Sequence, residues 1–141
     1  MWLAVDIGAK RTGVATSSSG LLATPWGIVE GQATEQVRQL IPVIESLAIT
    51  TIVIGVPRLG QGSTSLPPQI EVFTKELRSA LAERAVTLVF VDETLSTKEV
   101  ERRLGRQPRR DDKTDAAAAQ LILEDYLHEQ NQKSEARNSK Q

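Results

Sequence analysis

The chain has 141 residues and a mass of 15.4 kDa, with 40% apolar residues, and these values fit one domain built around one core. Its 17 basic and 18 acidic residues give a formal net charge of −1, which excludes a wholly basic nucleic-acid coat and a disordered polyanion. Cysteine is absent and there is one histidine, so thiol chemistry and a histidine-ligated zinc centre are excluded, and any bound metal must prefer oxygen ligands. No apolar run approaches the ~18 residues of a membrane helix, and we expect a cytoplasmic protein without a membrane partner.

The start of the chain predicts a three-stranded meander. Residues 2–5 form a short apolar run that ends at Asp6, and residues 12–17 form a second strand-like stretch after the Lys10-Arg11 pair. Residues 21–29 have the composition of a third strand. Short connections between these stretches favour antiparallel neighbours.

The next stretch predicts a helix and a central strand. From Thr34 onward, apolar residues recur at helical spacing, and Pro42 inside this pattern predicts a bend or a change of phase. Residues 51–54 are a β-branched run bounded by Gly55 and Pro57, a composition typical of a strand buried on both faces.

The middle of the chain repeats this alternation of helix and strand. Residues 59–65 lack periodicity and read as a loop, and a double proline then opens a helical pattern over residues 67–81. Residues 87–91 have the composition of a fifth strand, which is followed directly by Asp92 and Glu93.

The last part of the chain predicts two helices and a tail. A capping box favours a short helix over residues 96–105, and an alanine-rich helix follows over residues 112–127. The polar residues 129–141 are expected to form a disordered tail outside a domain of residues 1–128. Because the later strands need crossover connections, the elements predict an α/β fold with a mixed, five-stranded sheet flanked by helices.

Three carboxylates stand at the edges of apolar elements. Asp6 ends the first strand, Glu93 follows the fifth, and Asp115 lies in the first turn of the last helix. Strand ends and helix starts commonly meet at one edge of a sheet, where three carboxylates could hold one or two Mg²⁺ or Mn²⁺ ions. Each acid also has an ordinary interpretation: Asp115 as a helix-start residue, and Glu93 or Asp92 as solvent-facing residues.

Four segments of the chain, taken in order, carry a family resemblance. They are Val5-Asp6-Ile7-Gly8 with Lys10-Arg11 and Gly13-Val14-Ala15; Ile54-Gly55-Val56-Pro57; Val91-Asp92-Glu93 with Leu95-Ser96-Thr97; and Lys113 with Asp115 and Ala118-Ala119 through Leu127. This pattern resembles the YqgF family of bacterial Holliday-junction-resolvase-like proteins, which are regarded as pre-16S rRNA nucleases. The resemblance covers the chain up to about Leu127.

The resemblance implies an RNase H-like fold and a two-metal nuclease that hydrolyses ester bonds. It implies that Asp6, Glu93 and Asp115 are the catalytic, metal-binding acids, and that Lys10, Arg11 and Lys113 lie close to them. It further implies a role in 16S rRNA 5′-end maturation during ribosome biogenesis, with Holliday junction resolution as the alternative. This chain departs from the family pattern at Thr94, at Ser18 and in the loop over residues 58–62, positions that concern substrate contacts more than metal binding.

A basic segment precedes the last helix. Residues 98–113 hold seven basic and four acidic residues, a local excess that suits phosphate contacts. The candidate nucleic-acid-binding residues are Lys10, Arg11, Arg58, Arg106, Arg109, Arg110 and Lys113. The expected partner is pre-16S rRNA or branched DNA, and phosphate contacts do not distinguish between them.

Several alternatives stay open from the sequence. The Asp6-Ile7-Gly8 segment also resembles the phosphate loop of actin-like ATPases and sugar kinases, although those proteins clamp nucleotide between two such domains. A non-catalytic module that binds RNA or ribosome-assembly factors is a second alternative. Glu93 must reach across the fourth strand, above Gly55, to join Asp6, so Asp92 is an alternative ligand. A homodimer with paired sites would suit junction resolution.

Overall fold

The computed structural model of the chain describes residues 1–57, 66–92, 102 and 112–138, and within the last range it describes side chains from 116 to 134. The elements, in chain order, are β1 (Trp2–Asp6), β2 (Arg11–Ser17), β3 (Thr24–Glu30), α1 (Ala33–Ser46), β4 (Thr51–Val56), α2 (Pro68–Ala80), β5 (Thr87–Asp92) and α3 (Asp112–Asn138). The five strands form one sheet in the order β3-β2-β1-β4-β5. The predicted α/β class and mixed five-stranded sheet are confirmed.

The register of the sheet aligns the ends of three strands. β1 pairs with β2 antiparallel and with β4 parallel, and β4 pairs with β5 parallel. Val5 is level with Ile54, and Val56 is level with Asp92. The C-terminal ends of β1, β4 and β5 therefore lie along the same edge of the sheet, which we call the carboxyl edge.

The two faces of the sheet bury different helices. On the first, which we call the α1/α2 face, Leu3, Val5 and Ile54 belong to the core cluster that contains Phe73 of α2. On the second, the α3 face, alternate strand residues pack against the last helix; they include Ala4 and Val53, beside Ile122 and Leu123 of α3. This alternation follows from the two-residue period of a strand, and it assigns a face to each strand residue.

Helix α1 continues through Pro42 without the predicted change of phase. The buried residues Val37, Leu40, Val43 and Ile44 keep helical spacing on both sides of the proline. Pro42 itself is exposed, so the carbonyl that loses its amide partner lies on the solvent side, where water can satisfy it.

Strand β3 begins three residues later than the pattern predicts. Leu21 and Leu22 lie in the preceding turn and are exposed. The hydroxyl of Ser19 accepts hydrogen bonds from both of their backbone amides, at 3.1 and 3.2 Å, and that of Ser17 accepts one from the amide of Gly20. Serine side chains that bond to nearby amides in this way stabilise a turn in place of a sheet ladder.

Helix α3 extends to Asn138, so residues 129–138 of the predicted tail are helical in the structure. The Asn131 side chain donates a hydrogen bond of 3.1 Å to the Gly20 carbonyl, and Lys133 lies 3.3 Å from Glu129 one turn earlier. The long-range contact to the β2–β3 turn gives this polar stretch a tertiary partner. The predicted helix over residues 96–105 lies outside the described residues, apart from 102. Within the described ranges, no helix combines the length and apolarity that a membrane span requires.

Candidate active site

Asp6 is an exposed carboxylate at the end of the central strand β1. It follows Ala4 by two residues, so strand alternation places it on the α3 face. On the neighbouring strand, Gly55 occupies the position next to it, because Val5 pairs with Ile54. The structure thus brings the first predicted acid to the middle of the carboxyl edge, on the side covered by the last helix.

Helix α3 occupies the space above Gly55. A Cβ atom built at Gly55 would lie 2.5 Å from Cδ1 of Ile122, much closer than real Cβ contacts. The expectation that the missing side chain at Gly55 leaves space for another residue to lean across β4 is therefore corrected. The glycine instead permits a close approach of the helix to the sheet.

The direction of α3 brings its start toward the carboxyl edge. Asn131 contacts Gly20, and Gly20 lies against Trp2, at the opposite end of β1. Ile122 lies against Gly55, close to the carboxyl edge. From residue 131 back through residue 122 and on to its start, α3 therefore approaches the carboxyl edge.

The backbone of Asp115 therefore lies on the same side of the sheet as Asp6. Asp115 precedes Ile122 by two helical turns, so roughly 10 Å along the axis of α3 separates their backbones. Lys113 lies on the same first turns of α3. The side chains of Lys113 and Asp115 lie outside the described residues.

Asp92 and Asp6 belong to opposite faces of the sheet. Val91 packs with the α3 cluster, whereas Leu88 packs with the α1/α2 cluster, and the alternation of β5 assigns Asp92 to the face of Leu88. Asp92 therefore does not share the face of Asp6. Glu93 lies outside the described residues, as do Arg58, Arg106, Arg109 and Arg110, and the described residues contain no group of three potential metal ligands.

Lys10 and Arg11 lie at the carboxyl edge: Lys10 ends the connection between β1 and β2, and Arg11 begins β2. Both are exposed, and they line an open groove of about 400 Å³ that also contacts Glu30, Gly31 and Glu35. Arg11 Nε lies 3.9 Å from Glu30 Oε1, and both side chains are more than half exposed. A pair in this setting is screened by solvent and contributes little to stability.

A buried glutamine holds this β1–β2 turn, and sequence reasoning missed it. The Gln36 side chain is 1% exposed; its amide donates hydrogen bonds to the carbonyls of Gly8 (3.2 Å) and Gly31 (2.9 Å). Its carbonyl oxygen accepts a bond of 2.5 Å from the Thr12 hydroxyl, which itself accepts one from the Gly8 amide. The available signal was the position of Gln36 on the apolar stripe of α1.

Replacing Gln36 by Met should loosen the turn that carries Lys10 and Arg11. The substitution keeps the length of the side chain and removes its donors, so the free energy of unfolding should fall by about 1 to 2 kcal/mol. Urea unfolding measures this loss. Gln39→Met is the matched control. The Gln39 side chain, also on α1, donates to a backbone carbonyl, that of Glu30 in β3, but it is exposed, and its replacement should change stability by under ~0.5 kcal/mol. Equal losses in both variants would contradict a special role for the buried amide.

The strand order, the parallel carboxyl edge and the helix laid over one face define an RNase H-like fold. The chain is similar to the Thermus thermophilus RuvC structure, with a TM-score of 0.54 and 15% identity over 86% of this chain and 91% of that one. It is equally similar to T. thermophilus RuvC in complex with a Holliday junction substrate, with a TM-score of 0.55 and 16% identity over 86% and 92% of the two chains. The predicted fold is confirmed.

Sequence comparison places the chain in a family. The model described as "RuvX: Holliday junction resolvase" matches residues 1–129, and the chain belongs to this family. A protein of Chlamydia trachomatis serovar L2, described as "Putative pre-16S rRNA nuclease", is 34% identical over 135 residues, which cover 89% of this chain and 90% of that protein. A protein of Campylobacter jejuni subsp. doylei with the same description is 30% identical over 89% of this chain and 95% of its own length. The resemblance found in the sequence is thus confirmed.

Proposed function

We propose that the chain is a metal-dependent endonuclease that hydrolyses phosphodiester bonds in structured nucleic acid. The observation that carries this proposal is the exposed carboxylate of Asp6, which lies on the α3 face at the carboxyl edge. Helix α3 brings the backbone of Asp115 toward the same edge on that face. The relatives described as pre-16S rRNA nucleases support precursor 16S rRNA as the substrate and maturation of its 5′ end as the role. Such a role belongs in the cytoplasm.

The proposed metal ligands are Asp6, Glu93 and Asp115, which would hold one or two Mg²⁺ or Mn²⁺ ions. Asp6 fits such an ion because its carboxylate is a hard oxygen ligand that is open to solvent. A bound ion would supply an activated water and charge stabilisation for the leaving oxygen.

The proposed role of the basic residues is to hold the phosphate backbone beside these acids. Lys10 and Arg11 support this role because they are exposed at the carboxyl edge, next to the end of β1. Arg58, Arg106, Arg109, Arg110 and Lys113 are proposed to act with them. Contacts of this kind give affinity and orientation but do not read sequence.

Replacing both Arg109 and Arg110 by Ala should weaken binding to all duplex sequences alike and reduce its salt dependence. If both side chains contact phosphate, the slope of log affinity against log salt should fall by up to ~2, because each neutralised phosphate contributes roughly 0.9. Fluorescence titrations at several salt concentrations measure the slope. An unchanged slope would assign the phosphate contacts to Lys10, Arg11 and Arg58 instead.

Holliday junction resolution is the second candidate, and the family description favours it. It would require paired sites and hence a homodimer. The test compares cleavage of a precursor 16S rRNA fragment and of a four-way DNA junction by the purified chain in Mg²⁺ or Mn²⁺, with EDTA as the control. We expect cleavage of the RNA; cleavage confined to the junction would favour resolution, and metal-supplied protein that cuts neither would favour a non-catalytic RNA-binding module.

A further inference from the structure

A second concave site lies on the opposite face of the sheet from Asp6. It is a cavity of about 430 Å³ between α2 and β5, lined by Leu66, Glu71, Thr74, Lys75, Arg78 and Phe90. This volume falls within the ~300–1,000 Å³ typical of small-ligand sites. Because Phe90 belongs to the α1/α2 face, the cavity is separate from the proposed metal site.

The wall of the cavity carries an aromatic ring and a guanidinium in contact. Phe90 is 37% exposed, although it is a large apolar side chain. Arg78 Cζ lies 5.8 Å from the centre of its ring, within the range of a cation–π contact. Aromatic rings and arginine guanidinium planes are the groups on which unpaired nucleic-acid bases stack.

Thr74, which lines the cavity, carries an unused hydroxyl that is shielded from solvent. Thr74 is 5% exposed, and its Oγ1 is the one buried side-chain oxygen or nitrogen in the described part of the chain that lacks a hydrogen-bond partner. Leaving a buried hydroxyl without a partner is unfavourable, so such groups call for an explanation. The edge of a base carries both donors and acceptors that could pair with it.

The charge and position of the cavity favour a nucleotide over other ligands. Lys75 and Arg78 provide two exposed cations against the single acid Glu71, which suits the phosphates that flank a base. Phe90 precedes the end of β5 by two residues, so it lies roughly 7 Å from the carboxyl edge. A nucleic-acid strand bound at the carboxyl edge can therefore place a neighbouring nucleotide in this cavity.

We propose that this cavity binds an unpaired base of the nucleic acid held at the carboxyl edge. The base stacks on Phe90 and Arg78, and Lys75 holds an adjacent phosphate. The polar edge of the base meets the Thr74 hydroxyl once that side chain has rotated toward the cavity. The proposal rests on the proposed function for the nature of the substrate. It makes the chain selective for structured nucleic acid that contains a bulge or a single-stranded junction, rather than for continuous duplex.

The test uses two RNA hairpins, one with a single unpaired 2-aminopurine and one fully paired. Binding is measured in EDTA, so that cleavage does not intervene. We expect the purified chain to bind the bulged hairpin about tenfold more tightly and to quench its fluorescence, and we expect Phe90→Leu to remove most of this preference. The matched control is Val72→Ala, an exposed apolar residue of α2 that does not line the cavity, and it should keep the preference.

A second variant separates binding from folding. Thr74→Val replaces the hydroxyl by a methyl group of similar size, so it should raise the midpoint of thermal unfolding while lowering the preference for the bulged hairpin by roughly 2- to 10-fold. A merely structural threonine would not move these two quantities in opposite directions.

Three results would overturn the proposal: equal affinity of the parent chain for both hairpins, an unchanged preference in Phe90→Leu, or fluorescence quenching that persists in that variant. The proposed function fails differently, through metal-dependent cleavage that survives substitution of Asp6. If the chain prefers the bulged hairpin but cleaves no nucleic acid, the proposed base site stands and the proposed nuclease function fails. If the chain cleaves RNA but shows no preference for the bulged hairpin, the proposed nuclease function stands and the proposed base site fails.

Discussion

Asp6→Asn should lose metal-dependent cleavage by roughly 100- to 1,000-fold, because it removes the charge of the proposed central metal ligand while it preserves the shape of the side chain. The fold should survive, and thermal stability should rise slightly if Asp6 is held close to other carboxylates. Single-turnover cleavage of a precursor rRNA fragment, together with thermal unfolding, measures both effects. A variant that cuts at the parental rate would assign the activity to another site or to a contaminant.

Asp92→Asn is the matched control for this experiment. Both aspartates end parallel strands at the carboxyl edge, and both are exposed. They differ in the face of the sheet to which they belong, so the control removes the same charge at the same edge on the other side. It should retain cleavage within about threefold, since a distant charge acts weakly through solvent. Equal losses of cleavage in the two variants would show that cleavage depends on negative charge on both faces of the carboxyl edge rather than on the α3 face alone.

Gly55→Ala should destabilise the chain by up to about 3 kcal/mol, because the new methyl group overlaps Cδ1 of Ile122, so that the isoleucine must leave its rotamer or α3 must move away from the sheet. Cleavage should fall as well, since α3 carries Asp115. Urea unfolding and the cleavage assay report the two effects. A fully stable Gly55→Ala variant would mean that the Ile122 side chain moves aside without cost and that the glycine is not required for the approach of α3 to β4.

A second substitution tests the cause of that loss. Ile122→Val removes Cδ1, the atom that a methyl group at Gly55 would meet, and alone should cost ~0.5–1.5 kcal/mol. In the Gly55→Ala background the same change should be neutral or stabilising, so the double-mutant cycle should show coupling between the two positions. Additive losses would indicate that the glycine is needed for another reason.

Local composition was sufficient for the parallel part of the sheet. The β-branched runs that form β4 and β5 were located to within two residues, because β-branched residues favour strands. β4 is buried as its composition predicts, whereas β5 is an edge strand whose residues are half-buried or exposed. The start of β3 and the end of α3 were missed for a common reason. Both regions contact the turn around Ser19 and Gly20, which bonds to the leucine amides before β3 and to Asn131 of α3, and patterns within one element do not contain these contacts.

The candidate site was only partly accessible to sequence reasoning. Asp6 was identifiable because a charge at the end of a buried strand is unusual. The assignment of Asp92 to the opposite face needed the register of β5 against β4. The contact between Gly55 and Ile122 joins residues far apart in the chain, and nothing local predicts it. Gln36 is the residue that sequence reasoning could have found, since it interrupts an apolar stripe.

The central claim is that a divalent metal binds on the α3 face of the carboxyl edge, and paramagnetic broadening of amide NMR signals by Mn²⁺ tests it most directly. We predict that substoichiometric Mn²⁺ broadens the amides around Asp6 and Gly55 and those of the first turns of α3. The amides of Trp2, Gly20 and Asn131, at the opposite end of β1, should stay sharp, and Asp6→Asn should abolish the selective broadening. Broadening centred elsewhere, or a pattern unchanged in Asp6→Asn, would contradict the account.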